Sequence, residues 1–137
     1  LTAIAQDIRS WQSCTQARLM LDMHSPGHAE RESYFVVKAD TQSDHREELR
    51  TIWRAQNAFL AAYGMQDVQF HEDPTGANTS SQEGMTSAQF VHARGINGCT
   101  FECTYQGERN HGRAYTIEDY QRMGASMVRA IDSVFST

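Results

Sequence analysis

The chain has 137 residues, of which 39% are hydrophobic, and carries a formal net charge of −5. That length allows one domain with a real core, and the apolar content is ordinary for a globular fold. Only 12 residues are Lys or Arg, which argues against the basic stripe of a nucleic-acid surface; no apolar run approaches the roughly 18 residues of a membrane span. The opening residues lack the basic start and apolar stretch of a signal peptide. The first residue is Leu1 rather than Met, which leads us to expect a processed chain or part of a longer one.

Ile4, Ile8 and Trp11 recur at helical spacing and predict a short helix over residues 3–13. "RLMLDMH" at 18–24 alternates: Leu19, Leu21 and Met23 face one way, Met20, Asp22 and His24 the other. This is a strand, stopped by Ser25-Pro26-Gly27. A second strand, "ESYFVVK" at 32–38, is rich in β-branched and aromatic residues. Residues 43–63 form the clearest helix, with Leu49, Ile52, Trp53, Phe59, Leu60 and Tyr63 on one face and Gly64 at its end. A short strand at 68–70 precedes a long polar loop at 71–84, and loops of that length often carry function. A helix at 85–94, closed by Gly95, leads to a strand at 98–105. After a polar loop, Thr116 and Asp119 begin the last helix as a capping box, with Tyr120, Met123, Met127, Ile131 and Val134 turned inward. The resulting order, α-β-β-α-β-α-β-α, predicts an α/β fold with a mixed sheet flanked by helices. The three cysteines, Cys14, Cys99 and Cys103, cannot all pair, and Cys99 and Cys103 read as small buried residues.

Two of these strands place chemistry near their C-terminal ends, where ligands of open α/β sheets collect. His24 ends the first, with Asp22 two residues back on the same face; a carboxylate often holds the second nitrogen of a working imidazole, and spacing alone does not say whether Asp22 does. Glu102 sits in the centre of "CTFECT", opposite the Cys99–Phe101–Cys103 face. A buried, unpaired charge there costs several kcal/mol, so the position calls for a partner. The plain alternatives are a strand-end histidine bonded to loop backbone and a Glu102 paired with Arg109 or Arg113. Those two arginines flank the exit from the strand, and their planar forks suit a carboxylate. Each is a candidate contact for a substrate end, with a solvated loop arginine as the plain alternative.

"LMLDMHSPGH" resembles the segment carrying the last zinc ligand in the carboxypeptidase A family of zinc metallocarboxypeptidases, where a strand ends in His followed by Ser. "GINGCTFECTY" resembles the strand carrying that family's catalytic glutamate. The two sites lie 78 residues apart, and the helix before the glutamate strand and the final helix fit the same pattern. The likeness spans essentially all of residues 1–137, but only the C-terminal half of a family domain. It implies a zinc carboxypeptidase (funnelin)-like fold in which His24 binds zinc and Glu102 is the general base. Glu102 would take a proton from zinc-activated water and pass it to the leaving amine. The substrate would be a peptide or amino-acid amide with a free terminal carboxylate.

The departures are specific. The family's His-x-x-Glu zinc motif does not occur before His24, and its principal substrate-carboxylate arginine also belongs to an upstream half. No tyrosine occurs in residues 71–84; Ser80, Ser81 and Gln82 fall about where many members place one, and residues near Ser87 and in the 71–84 loop should line the specificity pocket. The pattern implies a divergent branch. A structural zinc site is worth roughly 10–16 kcal/mol, so one ligand of three would hold zinc at about millimolar. The expectation is therefore that the other zinc ligands, and an upstream half of the same domain, lie outside this chain. Two alternatives remain open: an aspartoacylase or succinylglutamate desuccinylase-like amidohydrolase, and an inactive carboxypeptidase-like module that binds a peptide.

Overall fold

The computed structural model describes residues 10, 17–26, 30–38, 41–73, 96–107 and 112–136. These form a four-stranded sheet and two long helices: β1 (Leu19–His24), β2 (Tyr34–Lys38), α1 (Ser43–Ala62), β3 (Gln69–Asp73), β4 (Asn97–Glu102) and α2 (Ile117–Phe135). The spatial order is β1-β4-β2-β3. β1 runs parallel to β4, β2 parallel to β3, and β2 antiparallel to β4. The α/β class and the mixed sheet are those expected from the sequence. The helices expected at 3–13 and 85–94 fall almost entirely outside the described residues.

Alternation along each strand sorts the sheet into two faces. Phe35 and Val37 of β2 and Cys99 and Phe101 of β4 are buried, and Leu19, Leu21 and Phe70 pack against them. Phe35 is the hub, with its ring 5.1 Å from Phe101 and 6.3 Å from Phe70. Against this face lie Leu49, Ile52 and Leu60 of α1 and Met123, Met127 and Ala130 of α2. The two helices also pack on each other, and Gln56 falls between them in the same stripe as Ile52 and Leu60. It is fully buried, donates only long contacts to Ser126 Oγ (3.4 Å) and Met123 Sδ (3.5 Å), and its Oε1 has no hydrogen-bond partner.

Short-range chemistry sets the ends of both helices. At the end of α1, Gly64 takes the left-handed conformation (φ 67°). Its N–H donates to Ala61 O and the next N–H, of Met65, donates to Leu60 O, the paired bonds of a Schellman stop. The chain is then tied back to the helix it has left. Asn57 accepts from Val68 N–H and donates to Val68 O, and Trp53 Nε1 donates to the same carbonyl. β3 therefore starts at a defined height beside β2.

α2 begins with the expected capping box: Thr116 Oγ1 accepts from Asp119 N–H, and Asp119 accepts from Thr116 N–H at 2.8 Å. Arg113 adds a two-pronged contact to the Asp119 carboxylate, at 2.6 and 3.3 Å. The Arg113 guanidinium and the Thr116 backbone hold Asp119 well below the usual carboxylate range. A depressed folded-state pKa gives stability that is complete above the unfolded value near 4 and is lost as pH falls toward the folded one. Asp119→Ala should therefore cost about 2 kcal/mol at pH 7. Urea unfolding of both forms at pH 7 and pH 3 should show the gap narrowing at the lower pH.

Several strand boundaries differ from the sequence reading, and β2 begins at Tyr34 rather than at residue 32. His71, Glu72 and Asp73 belong to β3 rather than to the loop, because they continue the parallel pairing with Val36, Val37 and Lys38. β4 ends at Glu102 rather than at residue 105. Beyond it, Cys103 N–H still donates to His24 O, but Thr104 turns inward and is buried.

Candidate functional site

The second face of the sheet carries Asp22, His24, Thr100, Glu102, Tyr34, Val36 and His71, each half-buried or exposed. β1 and β4 are parallel, so both end at one edge of the sheet, and β2 starts there. The register makes the consequence concrete: His24 lies opposite Glu102, and Glu102 lies opposite Tyr34. Strands sit about 4.8 Å apart, and residues paired across strands share a face. His24, Glu102 and Tyr34 thus form a row along the C-terminal edge of β1 and β4, brought together from positions far apart in the sequence.

Asp22 lies against the His24 imidazole. Its Oδ1 lies 3.0 Å from His24 Nε2, with the His24 side chain 55% exposed and that of Asp22 24%. A ring nitrogen donating to this carboxylate leaves Nδ1 with its lone pair, the tautomer and orientation a metal ligand needs. His24 therefore fits as one donor to zinc. Among the described residues no group of three or more His, Cys, Asp or Glu side chains could hold a metal ion, so a complete donor set would need residues outside them.

Glu102 Oε2 is buried and makes no hydrogen bond. Burial is the main cause of a raised Glu102 pKa; Glu30 and Asp22 push it the same way, and His24 acts against them. A carboxylate raised in this way and left with an open oxygen is poised to exchange a proton. No ion pair between Glu102 and an arginine is found among the described residues. Arg113 instead joins Asp119 at the start of α2. Arg109, Ser80 and Ser87 lie outside the described residues.

The row continues past Glu102 with residues that sequence reasoning did not single out. Tyr34 donates its hydroxyl to Glu30 Oε2 at 2.7 Å, and its ring stacks on His71 with centroids 4.5 Å apart and planes 20° from parallel. Burial, Glu30 and Glu102 all raise the Tyr34 pKa, so the phenol keeps its proton. Glu30 is itself anchored to the end of β4: Thr104 Oγ1 donates to Glu30 O at 2.8 Å, and Thr104 N–H to Ser33 Oγ at 3.1 Å. The alternation of "ESYFVVK" already set Tyr34 opposite the Phe35 face; nothing local identified which strand would lie beside it.

No protein-family model matches the sequence, and no curated protein matches it. Among solved structures, the chain is similar to a metallo-carboxypeptidase from Burkholderia cenocepacia, with a TM-score of 0.70 and 13% sequence identity. The match covers 94% of this chain and 33% of that one, so this chain spans about a third of the length of the structure it resembles. What the two share is the fold: an α/β architecture built on a mixed sheet.

Proposed function

We propose that the chain is the C-terminal part of the catalytic domain of a zinc carboxypeptidase-like hydrolase. The observation that carries this reading is the pairing of His24 with Glu102 at the ends of two parallel strands, where Glu102 keeps one buried oxygen without a partner. The fold neighbour, about three times the length, supports it.

Zinc, when bound, lowers the pKa of water and polarises the carbonyl that water attacks. Within this chain His24 is one donor to the metal, oriented by Asp22. Glu102 takes a proton from the attacking water as the new C–O bond forms. It returns that proton to the amine nitrogen as the C–N bond breaks, and the water's second proton follows from the new carboxylic acid, leaving a carboxylate and an ammonium. Arg109, Arg113, Ser80 and Ser87 are candidate contacts for the substrate. Arg113 would have to reach it while holding Asp119.

The lack of a His-x-x-Glu motif before His24 favours a second reading, a module that keeps the fold and binds a peptide without cutting it. The test is to extend the chain upstream through any His-x-x-Glu and measure zinc and hydrolysis together. The extended form should hold about one zinc per chain and release C-terminal residues from peptides, and His24→Ala should lower zinc affinity by at least about tenfold. Hydrolysis of N-acyl amino acids without peptides would move the assignment to the acylase relatives. An extended form that holds no zinc and cleaves nothing would leave the binding module.

A further inference from the structure

The two edges of the sheet are built differently. β3, on one side, carries Gln69, His71, Glu72 and Asp73 among its five residues, and Glu72 pairs with Arg50. Polar and charged side chains of this kind blunt an edge that meets water. β1, on the other side, reads LMLDMH, with no lysine, proline or glycine. Four of its six residues are apolar, yet none of the six is buried, whereas β4 beside it buries four. An apolar strand in a parallel pair normally lies inside a sheet, covered and paired on both sides. The main chain agrees. The His24 carbonyl accepts from Cys103 N–H on the β4 side. In a parallel strand the N–H and C=O of one residue point the same way and successive residues alternate. The main-chain groups of Leu19, Leu21 and Met23 therefore point off the free edge.

α2 extends this surface. One of its flanks meets α1 through Met123 and Ser126, which lie against Gln56. Another flank carries Ile117, Val128 and Phe135, spaced eleven and seven residues apart, close to whole helical turns. Ile117 is 80% exposed and Val128 67%, and Met23 of β1 is 59% exposed. Between β1 and α2 runs an open groove lined by Arg18, Leu19, Leu21, Ile131 and Phe135. A strand edge, a groove and a helix flank, all apolar, thus adjoin, and exposed apolar surface of this extent marks a contact with another polypeptide.

The fold neighbour has two-thirds of its length outside the matched region, so a fold of this type has chain enough to cover such a face. Taking residues 1–137 as part of a larger domain, and so resting on the reading above, we propose that the free edge of β1 and the adjoining flank of α2 are the seam where the rest of that domain joins. A strand from outside residues 1–137 pairs with the outward main-chain groups of Leu19, Leu21 and Met23. Apolar side chains that accompany it fill the groove against Ile131 and Phe135 and cover Val128.

The experiment is photo-crosslinking in the protein extended upstream, with a diazirine-bearing leucine analogue in place of Val128. Crosslinks should fall on residues of the same molecule outside 1–137. Crosslinks confined to residues 1–137, crosslinks between two copies, or none at all overturn the proposal. A second readout needs no substitution. In hydrogen exchange of the same protein, the amides of Leu21 and Met23 should exchange within about tenfold of those of Asp22 and His24, which face β4. Exchange at Leu21 and Met23 faster than that means a free edge and overturns the proposal as well. Neither readout depends on catalysis. Crosslinks into upstream residues in a protein that holds no zinc and cleaves nothing uphold the seam and sink the hydrolase reading; zinc and cleavage with a free β1 edge do the reverse.

Discussion

Glu102→Gln should reduce turnover of the proposed full-length hydrolase by about 10³-fold, in the middle of the range for loss of a general acid–base group, while zinc content stays the same. Glutamine has the shape of the glutamate side chain but accepts no proton, so it removes the transfer and keeps the side chain's place between His24 and Tyr34. The pairing of unchanged metal with lost turnover separates a proton carrier from a metal ligand; His24→Ala should lose both.

The same substitution has a second signature in stability. Burial raises the folded-state pKa of Glu102. For an acid shifted in that direction, the stabilising contribution is complete below the unfolded value near 4.3 and is lost as pH rises through the folded value. Gln does not titrate. Glu102→Gln should therefore be more stable than the parent chain at pH 7, a gain that disappears near pH 4. Thermal unfolding across that range checks the sign. A variant less stable than the parent at pH 7 would mean that Glu102 makes a stabilising contact as a charged group, and would remove the reason for calling it poised.

Phe35→Ala is the second large effect, and it acts on the fold. Phe35 has no exposed surface and touches the rings of both neighbouring strands. Truncation leaves a cavity under two helices and should cost about 3–5 kcal/mol. A domain of this size is typically stable by only about 5–15 kcal/mol, so the midpoint of thermal unfolding should fall by at least about 10 °C. The effect also reaches the site, because the residue before Phe35 is Tyr34, whose place beside Glu102 depends on this register. A loss under about 1 kcal/mol would show that the β2–β4 packing is not the centre of the core.

Local rules made much of this molecule legible in its sequence. The two-residue period of a strand was enough to turn Glu102 away from Phe101 and to put Asp22 beside His24, since each depends on atoms only two residues apart. The stop of α1 at Gly64 and the start of α2 at Thr116 follow from hydrogen bonds that span three to five residues. The resemblance of the His24 and Glu102 segments to a carboxypeptidase pointed to the fold that the solved structure shares.

What depended on tertiary structure was everything that links distant strands. Sequence alternation says which face a residue takes and not which residue lies beside it. That His24, Glu102 and Tyr34 stand in one row is a matter of register, and the burial of Phe35 against Phe101 from the other face holds that register. The same long-range packing drew His71 into β3 and onto the Tyr34 ring, although its neighbours read as a polar loop. It also buried Gln56, whose polarity alone would have placed it in water. These outcomes come from fitting whole faces together, at a cost or gain summed over many side chains, and no short window of sequence contains that sum.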